Sequence, residues 1–268
     1  MGLVTALAEN GFLRIERAVS KDMCAQVLQA IAEFSGLSCQ DQSTWYLASP
    51  ELEDIVPLWG HPAQWAIREE PALYAVWSEL WSTRDLLVSL DRCRFTPPWR
   101  PGRPEPLELH WDLDPRGPER TIQGLVALTD SGPGAGGFRC APSFFRDDAR
   151  WPADPVPTAR GFSWDVCVPE AEVVEVRLQV GDLLVWDSRL PHANSRNLSH
   201  APRAVFYVLM SPVLSESERS EHLECWLTGR CHEAWRGHWP EHDHLEPWAP
   251  VQLGTLGRRL IGLEQTTP

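Results

Sequence analysis

Lysine is nearly missing from this chain: of 24 basic residues only Lys21 is a lysine, and the rest are arginines. Set against 37 acidic residues they leave a formal net charge of −13, which excludes the basic face that a nucleic-acid partner requires. No apolar run approaches the length of a membrane span, so no membrane partner is expected. Met1-Gly2-Leu3-Val4-Thr5 lacks a basic region followed by a long apolar run, and Ala6 breaks the myristoylation pattern, so neither a secretory signal nor a lipid anchor is expected. The seven cysteines contain no CxxC pair and are odd in number, which argues against a disulfide framework and for a reducing, cytoplasmic setting. A nucleophile elbow for serine or cysteine chemistry is absent. The Gly-rich stretch Ser131–Gly137 has no helix behind it, so it is a hairpin connection and not a phosphate cradle. Internal repeats and linkers are absent too.

What the chain does have is concentrated between Gly181 and Met210. A Gly181-Asp182 turn launches the apolar run Leu183–Trp186, which leads to His192. A polar loop, Asn194 to Pro202, then carries the chain into a second apolar run opened by Arg203. Arginine is almost never buried unpaired, so one at the mouth of a core strand asks for an anion. The nearby histidine asks for a metal or a proton. Upstream, Leu109-His110-Trp111-Asp112 places His110 and Asp112 on one face of an extended strand and Trp111 on the other. Two imidazoles and one carboxylate form the ligand set of the non-haem Fe(II) facial triad, which leaves metal positions open.

These residues resemble a known family. His110-Trp111-Asp112, Gly136-Gly137-Phe138 followed by Pro142, Gly181-Asp182 before Trp186, and His192 with Arg203 are similar to the pattern of Fe(II)/2-oxoglutarate-dependent oxygenases of the phytanoyl-CoA dioxygenase superfamily. The similarity spans roughly residues 90–212 and, more loosely, the N-terminal helices. It implies that His110, Asp112 and His192 bind Fe(II), that Arg203 pairs with the far carboxylate of 2-oxoglutarate, and that O2 is the oxidant. One departure is Ser143-Phe144-Phe145, where a Gly-Ser-His is often found. Related halogenases replace the metal-binding carboxylate with a small residue, so Asp112 points away from halogenation.

The resemblance implies oxidation of an unactivated C–H bond in a small molecule, by hydroxylation or oxidative cyclisation. A tailoring step on an aminoglycoside or oligosaccharide antibiotic suits the acidic composition, and no basic cluster offers to receive the phosphates of an acyl-CoA. The alternative from another class is a cupin-type barrel that binds a metal or ligand without 2-oxoglutarate, or without turnover. Gln123, on the inner parity of its strand with Leu125 and Ala127, and Asn194, two residues after His192, are candidate cofactor contacts. Tyr207 shares the face of Arg203, and Asp114 is either a turn residue or a substrate contact. A cluster at Cys231, His232, His238, His242 and His244 matches no closed zinc site.

The elements follow from local signals. Helices are expected over 3–9, from Lys21 after a Ser20 cap to Gly36, over 62–82 with a break before Pro71, and over Ser217–Thr228 up to Gly229. Strands are expected at Phe12–Ile15, Trp45–Leu47, Leu86–Phe95, around His110, at Thr121–Thr129, from Phe138, at Val173–Val180 and in the two runs after Gly181. Residues 97–106 form a loop at the barrel mouth, and 146–169 form a polar excursion. About eight short strands with turn signals between them predict a mainly β fold. It is a double-stranded β-helix (jelly-roll, cupin-like) barrel with N-terminal helices packed on one sheet. One domain, 1–268, is expected, with its core at about 86–212, helical support at 1–85 and a C-terminal wrap at 213–268.

Overall fold

Alternation along each strand separates side chains that meet the helices from side chains that face the space between two sheets. The computed structural model describes residues 2–47, 54–151, 164–230 and 251–264. Its strands are β1 (Phe12–Ile15), β2 (Ile55–Val56), β3 (Leu86–Val88), β4 (Cys93–Thr96), β5 (His110–Trp111), β6 (Ile122–Ala127), β7 (Phe138–Cys140), β8 (Trp164–Asp165), β9 (Val174–Glu175), β10 (Leu183–Asp187), β11 (His192–Asn194), β12 (Arg203–Tyr207) and β13 (Met210–Pro212). One sheet runs β1-β10-β6-β12-β4-β2 and a second runs β8-β5-β11-β7-β9, while β13 pairs with β3 apart from both. The central pairings are antiparallel and nested: β4 with β12, β5 with β11, β6 with β10, and β7 with β9.

Helices α1 (Leu3–Asn10), α2 (Lys21–Ser35), α3 (Pro62–Arg68) and α4 (Pro71–Trp81) cover the outer face of the six-stranded sheet, as expected. Their starts are set locally. Ser20 Oγ accepts from the Met23 N–H, His61 and Gln64 form a reciprocal cap, and Pro62 and Pro71 occupy first-turn positions where no donor is lost. Val27, Ile31, Ile67, Leu73 and Trp77 pack with Val126, Leu183, Val185, Ala204 and Phe206 of the sheet. A second apolar cluster lies between the sheets and joins Leu125, Leu184, Trp186 and Val205 to Phe138 and Cys140. β10 is thus buried on both faces, which is why it reads as an unbroken apolar run.

Two fully buried carboxylates fix the ends of β10. Asp182 accepts from Arg14 Nε at 2.7 Å, from the Arg17 N–H and from the Gln179 N–H; Asp187 accepts from Arg120 Nε at 2.7 Å and from Arg189. Each buried charge is therefore paired and hydrogen-bonded, the condition under which such a group is tolerated.

Several local expectations need correction. Leu86–Phe95 is not one strand: β3 and β4 belong to different sheets. Between them Arg68 donates to the carbonyls of Ser89 and Asp91, so a buried side chain there takes bonds that a ladder would supply. The stretch 131–137 is no hairpin, because β6 and β7 lie in different sheets. Trp45–Leu47 forms a turn after a 3-10 helix, with the Trp45 indole donating to the Ser38 carbonyl. Val173–Val180 pairs as a strand at Val174–Glu175 and makes an isolated bridge at Leu178. After the short helix α5 (Pro142–Arg146), helix α6 (Glu216–Thr228) forms behind a Ser215 cap, but its buried face includes Arg219 and His222, with Arg219 bonded to Asp85. A short helix, Thr255–Leu260, was not anticipated. Among the described residues no helix is long and apolar enough to cross a membrane.

Gly181 opens the turn into β10 with φ +89°, and a Cβ there would stand 2.3 Å from the Val19 carbonyl oxygen. Gly181→Ala is expected to cost about 1–3 kcal/mol through overpacking and backbone strain. The loss should appear as a lower urea midpoint with an unchanged m-value; an unaltered midpoint would show that this turn can relax.

Candidate active site

His110 and His192 oppose each other in the antiparallel pair of β5 and β11, with ring centroids 5.0 Å apart. In each, Nδ1 lies against the carbonyl two residues earlier: Glu108 O at 2.8 Å and Leu190 O at 3.0 Å. Donation from Nδ1–H fixes the tautomer and leaves Nε2 of the neutral ring as a bare lone pair. Asp112, just past β5, places Oδ1 3.5 Å from His110 Nε2 and Oδ2 3.2 Å from His192 Nε2. The three ligand atoms lie within 4.8 Å of one another. Lone pairs at that spacing repel unless a proton or a cation sits among them. Burial opposes charge on Asp112, but the two imidazoles facing it, His192 above all, overcome it and hold the carboxyl well below its ordinary range. A divalent cation would do the same.

The surroundings hold these ligands still. Gln123 on β6 donates Nε2–H to Asp112 Oδ2 at 2.7 Å. Phe138 stacks on the His192 ring at 5.6 Å, and Trp186 lies against it at 5.3 Å. From the triad a cavity of about 630 Å³ extends past β4 and the 97–107 loop to α6, with Trp59, Arg94, Trp99 and Tyr207 among its walls.

Arg203 is 2% exposed on the inner face of β12. Its Nη1 donates to Asn194 Oδ1 at 2.9 Å, whereas Nε and Nη2 are buried without a hydrogen-bond partner. No acidic side chain among the described residues pairs with it. Burial pushes its pKa down to about 10, against the opposing pull of Tyr207. Asn194 lines the cavity and Arg203 stands behind it. A buried guanidinium with open donors and no counter-ion is costly, and an anionic ligand would offset that cost.

The candidate residues thus fall into two linked groups: His110, Asp112, His192 and Gln123 around the triad, and Arg203 with Asn194 beside it. Tyr207 also lines the cavity. Asp114 is a turn residue that accepts from the Arg116 N–H. Trp111 is fully buried away from the ligands, its indole donating to the Arg189 carbonyl. The Cys231–His244 cluster and residues 152–163 of the polar excursion lie outside the described residues. Sequence reasoning overlooked Arg94. The alternation of Cys93 and Phe95 into the core with Arg94 and Thr96 on the opposite face was the signal that would have found it.

Comparison with known proteins adds an independent line. The sequence model of the family described as Phytanoyl-CoA dioxygenase (PhyH) matches residues 7–205. A Dictyostelium discoideum protein provisionally named a phytanoyl-CoA dioxygenase is 23% identical over 270 residues, spanning 79% of this chain and 76% of its own. Among solved structures, Candida albicans GIG2, the product of a GlcNAc-inducible gene, superposes with a TM-score of 0.72 at 16% identity, over 99% of this chain and 76% of its own. The epimerase SnoN, solved with Fe3+, alpha ketoglutarate and nogalamycin RO, gives 0.55 at 16% identity over 78% of this chain and 82% of its own. EvdO2 from Micromonospora carbonacea var. aurantiaca, solved with 2-oxoglutarate, gives 0.55 at 18% identity over 78% and 91%. At such identities the structures speak for the fold alone.

The geometry predicts one tight site for a divalent ion, measurable by Co(II) titration. Gln123→Leu removes the amide that orients Asp112 and should weaken Co(II) about 10- to 100-fold, as loss of an outer-shell partner does. His192→Ala should abolish tight binding. Unchanged affinity in Gln123→Leu would show that the amide does not position the carboxylate.

Proposed function

The chain belongs to the phytanoyl-CoA dioxygenase family, and from that premise we propose that it is an Fe(II)- and 2-oxoglutarate-dependent oxygenase acting on a small molecule. The observation that carries this reading is the pairing of a three-ligand centre with a buried arginine that has no acidic partner among the described residues. His110, Asp112 and His192 would hold Fe(II) on one face and leave the opposite positions open. Arg203 would take the far carboxylate of 2-oxoglutarate through Nε and Nη2, the two-pronged geometry that lysine cannot copy. Asn194, already bonded to Nη1, sets the plane of that fork. When bound, iron and 2-oxoglutarate supply the oxidising power toward an unactivated C–H bond, using O2 and yielding succinate.

The remaining residues position and shield. Gln123 keeps Asp112 aimed at the metal position, while Phe138 and Trp186 exclude water from one side of His192. Because a carboxylate occupies the third ligand position, the outcome we assign is hydroxylation or oxidative cyclisation and not halogenation. The nested strand order fits a double-stranded β-helix, the jelly roll expected from sequence, in one domain. Free, buried Cys24, Cys93 and Cys140 fit a reducing cytoplasm. A tailoring step on a natural product suits a cavity of this size. The competing reading, a barrel that binds a ligand without 2-oxoglutarate, would leave Arg203 uncompensated.

Succinate release under air with Fe(II) and ascorbate tests the proposal. A charge-assisted contact is worth about 1.5–3 kcal/mol, so Arg203→Ala should raise the 2-oxoglutarate needed for half-maximal turnover roughly 10- to 100-fold. His192→Ala should be silent. A wild-type protein that neither binds nor consumes 2-oxoglutarate would overturn the assignment.

A further inference from the structure

One arginine in the cavity wall is paired with no carboxylate among the described residues. Most of the cavity's charged walls are paired: Arg103 with Asp54, Arg196 with Glu105, and Arg92 beside Asp91. Glu218 is engaged at the start of α6, where it accepts from the Leu214 N–H. Arg94 is different. It lines the cavity from β4, opposite Val205, and therefore shares the inner face with Arg203 two residue pairs away. Its Nε donates to Thr96 Oγ1 at 3.3 Å, and no carboxylate among the described residues pairs with it. Both terminal nitrogens remain available to a ligand.

On the oxygenase reading, the charges at the triad balance among themselves. Fe(II) brings two positive charges and Arg203 one; Asp112 brings one negative and 2-oxoglutarate two. That sum is zero without Arg94. Two neighbouring guanidinium groups disfavour each other, and Arg94 contributes to the lowered pKa of Arg203. A second anion beside Arg94 relieves this repulsion, and the cosubstrate has none to spare. The same cavity presents the indoles of Trp59 and Trp99, whose ring N–H groups are buried without a partner. They provide flat apolar surface with a polar edge for the body of a ligand.

We propose that Arg94 selects the primary substrate, and that this substrate carries a compact oxyanion, a carboxylate or a phosphate, bound at Arg94. A polyamine sugar does not suit this guanidinium, so the aminoglycoside expected from the acidic composition is set aside.

Binding to the anaerobic Fe(II)–2-oxoglutarate protein tests this. The charge-transfer absorption of the chelated cosubstrate reports 2-oxoglutarate affinity, and calorimetry reports the second ligand. Phenylacetate and phenyl phosphate serve as anionic probes, phenylacetamide and phenethylamine as neutral and cationic controls. At least one anion should bind the wild type about tenfold or more tightly than the amide, as expected for a charge-assisted contact, and whichever anion wins names the group. Arg94→Gln should erase that preference while leaving the 2-oxoglutarate affinity within about twofold. Arg94→Glu should turn the preference toward phenethylamine. Equal binding of anion and amide, failure of both anions to bind, or a loss of 2-oxoglutarate affinity in Arg94→Gln would overturn the assignment; the last result would place Arg94 in the cosubstrate clamp. A wild type that forms no charge-transfer band with 2-oxoglutarate would instead strike at the oxygenase reading itself.

Discussion

Two histidines from opposite ends of the strand core face each other across a single antiparallel residue pair, His110 with His192. Nearly everything in the site depends on that register. A shift of one residue in either strand would turn its imidazole to the far side of the sheet, because side chains alternate with a period of two. The register is held from outside the pair. β11 also ladders with β7 over three residues, and Asp187 closes the turn leading to His192 by accepting from the backbone and side chain of Arg189. Carbonyls two residues upstream then select the same tautomer in both rings. The ligands are thus oriented by the fold before any ion arrives.

The same sheet alternation brings cations into the interior. Arg203, Val205 and Tyr207 face inward from β12, Arg94 and Thr96 from β4, while Ala204, Phe206, Cys93 and Phe95 face the helices. Asp182 and Asp187 show how this chain treats a buried charge that serves the fold alone: it surrounds it with donors. Arg203 receives one neutral partner and keeps two donors open. On the proposed reading, that contrast marks Arg203 as a cation held ready for a ligand; Arg68, buried as deeply, instead donates to the carbonyls of Ser89 and Asp91. Net charge could not make the distinction, since −13 describes the whole chain and chiefly its surface.

Helices were legible in the sequence because their signals are local: Ser20, Pro62, Pro71 and Ser215 at the starts, Gly36 and Gly229 at the ends. The triad was legible because His110, Asp112, His192 and Arg203 form a pattern that does not depend on the loops between them. Parity also put Gln123 on the correct face, though its partner proved to be Asp112. Sheet membership was not legible. Nothing within Leu86–Phe95 says that Arg68 will take the carbonyls of Ser89 and Asp91 and let β3 and β4 part company. Nor does 131–137 reveal that its flanking strands join different sheets. The polar buried face of α6 was hidden for the same reason, since Arg219 meets Asp85 from a distant part of the chain.

This division reaches into function. The proposed metal ligands, Gln123, Asn194 and Arg203 all fall within the stretch matched by the family model, residues 7–205, and all sit on or immediately beside nested core strands. The far cavity is built differently. Trp59 follows the short edge strand β2, Trp99 and Arg103 lie on the 97–107 loop, and Glu218, His222 and Cys225 come from α6, beyond the matched stretch. A barrel whose strands are locked by pairing can keep one reactive centre while loops and terminal elements change around it. The arginine that we assign to the substrate stands at the junction, on core strand β4 but facing the wall built by those loops and terminal elements. Charge recognition close to the triad can then persist while the rest of the cavity sets the shape of the molecule it accepts.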